Sequence, residues 1–205
     1  TITKGRPRII LDESELVDRI IAAADAGGTV ELPIYVYESG YDPEEVPYLD
    51  ETVVAKYTTY FDVSAAGRAK NIELSAAALN NIIIGRGDYF SFNETVGPRE
   101  VERGYQTAPE IVNGKLVDGI GGGVCQTSST LFNAVDQLGV KYIERHHHSL
   151  PIGYVPAGRD ATVSYGGLDF RFQNEKDIPF LLKAYVDGGV LTVEVRTSAE
   201  YAKQL

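Results

Sequence analysis

The run Gly121-Gly122-Gly123-Val124-Cys125-Gln126-Thr127-Ser128-Ser129-Thr130 constrains this chain more than any other stretch, because it sets the only cysteine where a flexible glycine loop meets the start of a helix. Leu131, Val135 and Leu138 recur at i, i+4 and i+7 with Phe132 beside them, the period of an amphipathic helix, and Gly139 stands where a C-terminal glycine stop belongs. Cys125 is therefore expected in the first helical turn. There the unpaired N–H groups and the positive end of the macrodipole favour thiolate over thiol, and cysteines so placed titrate below the free value of about 8.5. Gly122 and Gly123 let the backbone approach a ligand closely, and the loop amides with that of Cys125 can hold a developing oxyanion. Gln126 is a candidate side-chain donor, and Ser128 a further candidate substrate contact. The competing reading is a small buried hydrophobe, the commonest state of a free cysteine.

Composition narrows the function classes. With 205 residues, 43% of them apolar, the chain reads as a soluble globular protein with one substantial core and a small accessory unit. Lys and Arg total 19 against 29 Asp and Glu, a net charge of −10, which argues against nucleic acid or an anionic membrane surface as partner. A single Cys excludes an intrachain disulfide and the metal motifs that need paired cysteines, so neither metal nor cofactor is expected. No apolar run approaches the roughly 18 residues of a membrane span, and no signal-like stretch opens the chain. Because the chain contains no Met, an N-terminal anchor or signal upstream of residue 1 is an expectation.

Asp12 to Gly28 reads as a helix, with Asp12 as cap, Glu15 at capping-box spacing, and Leu16, Ile20, Ile21 and Ala24 as an apolar stripe. Thr29–Leu32 and Ile34–Tyr37 are rich in strand formers and interrupted by Pro33. Tyr41 to Asp50, with Pro43, Pro47 and several carboxylates, looks like a solvated linker, which places a boundary near residue 52. Residues 1–52 are then an accessory α/β segment with its linker, and 53–205 the main domain.

Beyond the boundary, Asn71–Asn80 reads as a short helix, Ile82–Ile84 as an apolar run and Tyr89–Phe92 as a strand. Glu110–Val112 and Lys115–Val117 flank Asn113-Gly114, a hairpin signal. Strands are also expected at Val140–Arg145, Asp160–Tyr165, Asp169–Gln173, Phe180–Val186 and Val190–Arg196, the last two joined at Asp187-Gly188-Gly189. Short connections unsuited to repeated parallel crossovers make the expected fold α+β, with a mostly antiparallel sheet carrying the Cys125 helix.

Glu144-Arg145-His146-His147-His148-Ser149 is the other segment with chemistry. A strand continuing through it would put His146 and His148 on one face and His147 on the other. A histidine suits the role of base for a thiol, taking and returning its proton near neutral pH. Asp160 can hold the imidazole in the required tautomer, or merely cap a turn. Arg145 and Arg159 can each grip a carboxylate through two parallel hydrogen bonds, or be surface charges. His146, His148 and Cys125 could also ligate zinc, although no carboxylate motif or His-x-x-x-His helix supports that reading.

Taken in order, Phe90-Ser91-Phe92-Asn93, Val96-Gly97-Pro98-Arg99, Gly104-Tyr105, the Gly121–Ala134 run, Glu144-Arg145 with His148-Ser149, and Gly158–Val163 resemble the VanW-domain family across roughly residues 54–196. Residues 1–50 resemble, more weakly, the end of the peptidoglycan-binding-type domain that often precedes it. The resemblance implies an exported, membrane-tethered protein of a bacterium with a Gram-positive-type wall, acting on peptidoglycan stem peptides. It further implies a cysteine L,D-transpeptidase that makes 3-3 cross-links, with Cys125 on the family's cysteine and His148 on the histidine of its Arg-x-x-His-Ser segment. The alternatives are a non-catalytic peptidoglycan- or glycopeptide-binding module and a cysteine peptidase that cuts stems.

Overall fold

The computed structural model describes residues 8–24, 27–112 and 114–205, which divide into two compact units, residues 5–39 and residues 40–205. In the smaller unit, β1 (Arg8–Leu11) pairs antiparallel with β2 (Ile34–Tyr37), and α1 (Glu13–Ala24) lies between them in sequence. Asp12 caps α1 by accepting the Glu15 N–H at 2.9 Å, and Arg19 ties Glu15 to the Glu31 carbonyl. No residue of α1 is buried, and Ile20 and Ile21 stand exposed, because a unit of this size has almost no interior to offer an apolar stripe. Thr29–Leu32 forms no strand; pairing begins only after Pro33.

The larger unit is mixed α+β with antiparallel sheets. Its main sheet has the order β3 (Thr52–Tyr60), β11 (Val190–Thr197), β10 (Phe180–Asp187), β4 (Ile82–Ile84), every pair antiparallel. The β10–β11 hairpin turns at Gly188 and Gly189, both at positive φ. A second sheet orders β5 (Tyr89–Ser91), β9 (Arg171–Gln173) and β8 (Lys141–Glu144). β6 (Thr107–Val112) and β7 (Lys115–Ile120) form a separate hairpin whose Gly114 has φ +71°; Asn113 lies outside the described residues. The short helix α3 (Phe92–Val96) is capped by the Ser91 hydroxyl, which accepts the Glu94 N–H; the resulting turn ends the predicted Tyr89–Phe92 strand one residue early.

Two helices cover the main sheet. α2 (Ala66–Leu79) starts well before the Asn71 expected from its apolar pattern and buries Ala69, Ile72, Ala76 and Leu79. α4 (Val124–Val135) packs on β3, β11 and α2. Around them close Phe132, Phe170, Phe172, Phe180, Leu182, Leu191 and Val193, all at most 2% exposed, which is how a core of this size gains most of its stability.

Two further expectations are corrected. The Tyr41–Asp50 stretch is packed onto the larger unit: Leu49 is fully buried beside Ile83 and Leu181, and Glu45 ion-pairs with Arg86 at 2.6 Å, which with Tyr201 brings the Glu45 carboxyl down to about 2. Asp160–Tyr165 is not a strand. Only the isolated bridge between His146 and Thr162 forms there, because side chains of α4 take the backbone groups that a neighbouring strand would otherwise satisfy.

Candidate functional site

Cys125 sits in the first turn of α4, after Gly123 as N-cap at φ +107°. Each glycine before it is required by a neighbour. A Cβ on Gly122 would stand 2.4 Å from the Ala108 carbonyl oxygen of β6; one on Gly121 would meet the Arg99 side chain at 2.8 Å, and one on Gly123 the Arg68 side chain at 2.8 Å. The loop is therefore threaded between a strand and two arginine stems, and only glycine fits. Gly121 and Gly122 carbonyls accept from Val124 N–H and from Asn71 Nδ2, so the first-turn N–H of Cys125 is left at the open end of the helix.

Most of α4 is buried, yet its sequence is rich in hydroxyls and amides, and each is satisfied. Ser128 donates to the Ala161 carbonyl at 2.5 Å, Ser129 accepts the Ala161 N–H at 3.0 Å, and Asn133 holds both the Arg159 carbonyl and its Nε at 2.7 Å. Cys125, Ser128, Ser129 and Asn133 thus form one polar stripe at helical spacing that binds the irregular segment 159–163 alongside the helix. That segment in turn surrounds the sulfur. The Val163 N–H donates to Sγ at 3.5 Å, the Val163 carbonyl lies at 3.4 Å and the Thr162 hydroxyl at 3.6 Å.

The same stripe sets Asp160 against the histidines. β8 ends at Glu144, so no strand carries the three His side chains and the expected alternation of faces does not arise. His148 is brought inward: its side chain is 6% exposed, its N–H donates to Asp160 Oδ2 at 2.7 Å, and its Nδ1 lies at 2.7 Å from the same oxygen. His147 reaches Asp160 Oδ1 from the exposed side, and His146 turns to Glu144 at 2.9 Å. Among the described residues no three His, Cys, Asp or Glu side chains gather as metal ligands, so the zinc arrangement of His146, His148 and Cys125 is not formed.

The electrostatics of Cys125 and His148 shift toward each other's charged form. Burial pushes the Cys125 thiol up, but a hydrogen bond with His148, then the Val163 backbone and the Thr162 hydroxyl, outweigh it and leave the thiol below its ordinary value. Burial pushes His148 down, but Cys125 and Asp160 outweigh that and hold it above its ordinary value. Burial likewise opposes ionisation of Asp160, and the bonds from His147 and His148 bring it down to about 2.

Cys125 and His148 open together onto a cavity of about 760 Å³. Gly121–Gly123 form part of its wall, and the β6–β7 hairpin adds Pro109, Ile111, Leu116 and Ile120. Tyr154 stands edge-on to the His148 ring, 6.4 Å between centroids, and closes one side.

The other expected contacts lie elsewhere. Gln126 reaches the cavity wall, but its amide is fully engaged, donating to Thr59 and the Tyr60 carbonyl and accepting from Arg68 at 2.5 Å. Ser128 is fully buried, its hydroxyl spent on the Ala161 carbonyl. Arg145 and Arg159 both stack over the Phe132 ring, at 4.2 and 4.7 Å, and Arg159 pairs with Asp136; neither lines the cavity. The guanidiniums that do line it are Arg68 and Arg99. Arg99 lies in the irregular Gly97-Pro98-Arg99 segment after α3, and nothing near Arg68 in sequence marks it.

A family model described as "VanW like protein" matches residues 67–196, well over half of the chain and all of the residues that build this cavity's cysteine and histidine walls. The chain belongs to the VanW-like family. It is 44% identical over 200 residues, 97% of its length, to the uncharacterized protein YoaR of Bacillus subtilis (strain 168). It is 31% identical over 160 residues, 74% of its length, to the vancomycin B-type resistance protein VanW of Enterococcus faecalis (strain ATCC 700802 / V583). The chain spans 66% and 58% of the lengths of these relatives. No solved structure matches. Among the described residues, no helix is long and apolar enough to cross a membrane.

Proposed function

We propose that this VanW-like chain is a cysteine acyltransferase of the cell wall, an L,D-transpeptidase that joins peptide stems through a thioester. The observation that carries the reading is Cys125 and His148 in the wall of one cavity with Asp160 behind them, its Oδ2 2.7 Å from His148 Nδ1, which leaves Nε2 as the ring nitrogen to serve the thiol. The name of the Enterococcus relative, a vancomycin resistance protein, adds a cell-wall context.

In this mechanism the Cys125 thiolate attacks the carbonyl of the third, L-centre residue of a tetrapeptide stem. The negative charge on the carbonyl oxygen is received by the N–H of Cys125 at the helix terminus and by loop amides. As the C–N bond breaks, protonated His148 gives its proton to the departing amine of the terminal D-Ala, and the acyl group remains on sulfur. A side-chain amine of a second stem then attacks the thioester, His148 takes up its proton, and the 3-3 amide forms as the thiolate leaves. Asp160 keeps the imidazole oriented through both half-reactions. The site of action is outside the cytoplasmic membrane, with any tether supplied by a segment beyond this chain.

The test is mass spectrometry of muropeptides after incubation with the protein. New 3-3 dimers that vanish with Cys125→Ala are the expected result. Shortened stems without dimers would make it a peptidase, and unchanged muropeptides with a slowly alkylated thiol would make it a binding module.

A further inference from the structure

Arg68 and Arg99 flank the glycine loop on opposite ends, their stems filling the spaces left by the missing Cβ atoms of Gly123 and Gly121. Both guanidiniums line the cavity, and both lie within electrostatic range of the Cys125 sulfur. Among the described residues neither forms an ion pair with a carboxylate, although Asp169 lies within electrostatic range of Arg99. Arg68 rests on the neutral amide of Gln126 and over the Tyr154 ring at 5.9 Å. Arg99 donates Nη1 to the Gly97 carbonyl and lies over the Phe92 and Tyr165 rings at 5.5 and 5.8 Å, while its Nη2 is buried without a hydrogen-bond partner among the described residues.

Such an arrangement is unfavourable as it stands. Desolvating a guanidinium without an anion costs several kcal/mol even after relaxation. Arg68 adds a second penalty: it occupies the first turn of α2, which holds no acidic residue, so its charge faces the positive end of that helix. The acidic side chains that share the cavity, Glu100 and Glu110, pair with neither arginine. In a chain of net charge −10, two partly buried guanidiniums with no carboxylate ion pair among the described residues, both facing the cavity of Cys125, are a feature that an anionic ligand would complete.

We propose that Arg68 and Arg99 bind the free carboxylate of the acyl donor's leaving residue, so that the site accepts only donors whose scissile amide is the last one of the chain. This rests on the acyl-transfer reading for the direction of attack. The carboxyl carbon of a terminal residue lies only about 3–4 Å beyond the attacked carbonyl carbon, by standard bond lengths, which suits cations set along the loop that leads into Cys125. Binding there also places a negative charge where the departing amine must pick up the His148 proton. Arg145 and Arg159, stacked on Phe132, take no part.

The test uses equilibrium binding to the Cys125→Ala protein, so that no turnover is needed, with Nα-acetyl-L-lysyl-D-alanine and its C-terminal carboxamide as probes. The carboxylate probe is expected to bind at least tenfold more tightly than the carboxamide, as charge-assisted bonds to a guanidinium imply. Arg99→Gln or Arg68→Gln in the same background should bring the carboxylate probe toward the carboxamide's affinity, and Arg99→Lys should restore only part of the difference because the fork is lost. Equal affinities for the two probes, or binding of neither, would overturn the proposal without any recourse to variants. A carboxylate preference in a protein whose Cys125 is never acylated would uphold it and instead refute the transfer mechanism.

Discussion

The two walls of the site are built by opposite means. The Cys125 wall is a helix terminus: a glycine loop, a first turn and an apolar stripe, all set by residues within a few positions of one another. The His148 wall is a length of chain with no regular structure, positioned because Ser128, Ser129 and Asn133 of α4 bind the backbone of Ala161 and the Arg159 carbonyl, and Asp160 then binds His148. The helix supplies both the proposed nucleophile and the hydroxyls that hold the segment beside it. Placing sulfur and imidazole therefore depends on one rigid element, which is how catalytic geometry is kept within the fractions of an ångström it needs.

Breaking the helix wall should have the largest effect. Cys125→Ala is expected to abolish 3-3 dimer formation while leaving the thermal midpoint within a few degrees of the parent, since Ala keeps the helical turn and the residue is not fully buried. Persisting dimers in the folded variant would end the covalent mechanism.

On the other wall, His148→Ala should slow acylation by a factor on the order of 100 or more, the usual loss with a general base. His146→Ala and His147→Ala should cost far less, because neither ring lines the cavity. Single-turnover acylation followed by intact-protein mass spectrometry separates these cases. Similar losses in all three would mean that the wall works as a unit instead of through one imidazole.

Asp160→Asn acts one step further away and should cost about tenfold in acylation rate, the scale of one charge-assisted hydrogen bond. It carries a pH signature as well. A carboxyl held at about 2 against an ordinary value of 3.8 contributes stability that is fully present above 3.8 and is lost as pH falls through 2. The parent's thermal midpoint should therefore fall more steeply between those pH values than that of Asp160→Asn. Parallel curves would show that Asp160 is not held by the histidines in solution.

The smallest effect on chemistry, and a clear one on stability, belongs to the seam between the walls. Ser129→Ala leaves the buried Ala161 N–H without its acceptor, and should lower stability by about 1–3 kcal/mol in denaturant titration. Its acylation rate should change less than that of Asp160→Asn. An unchanged stability would mean that segment 159–163 is held by something other than the helix.

This division also governs what could be read from the residues alone. Cys125 in a first turn, Asp12 as a cap, the β6–β7 hairpin and the β10–β11 hairpin all follow from neighbours in sequence, where period and turn chemistry are decisive. The Asp160–Tyr165 segment has the alternation of a strand, but its hydrogen-bond partners are hydroxyls of a helix, which no local pattern announces. The same holds for Arg68 and Arg99: their importance arises from stems that fit where glycines have no side chain, a contact created only by the tertiary fold. Gln126 and Ser128 sit in the right motif for substrate contact, yet burial turns them into struts. In α1 the helix itself is legible and its capping is found, but whether its apolar stripe is covered is not a local property either.

The central claim is that His148 and its neighbours hold Cys125 as a thiolate, and alkylation by iodoacetamide across a pH series tests it most directly. The expected midpoint lies clearly below the ordinary thiol value of about 8.5, returns to that value on denaturation, and rises in the folded His148→Ala protein. The thiolate fraction should grow as pH climbs through the depressed Cys125 value, while His148 stays protonated until pH passes its raised one. A folded-state midpoint at or above about 8.5, or one that His148→Ala leaves unmoved, would contradict the account.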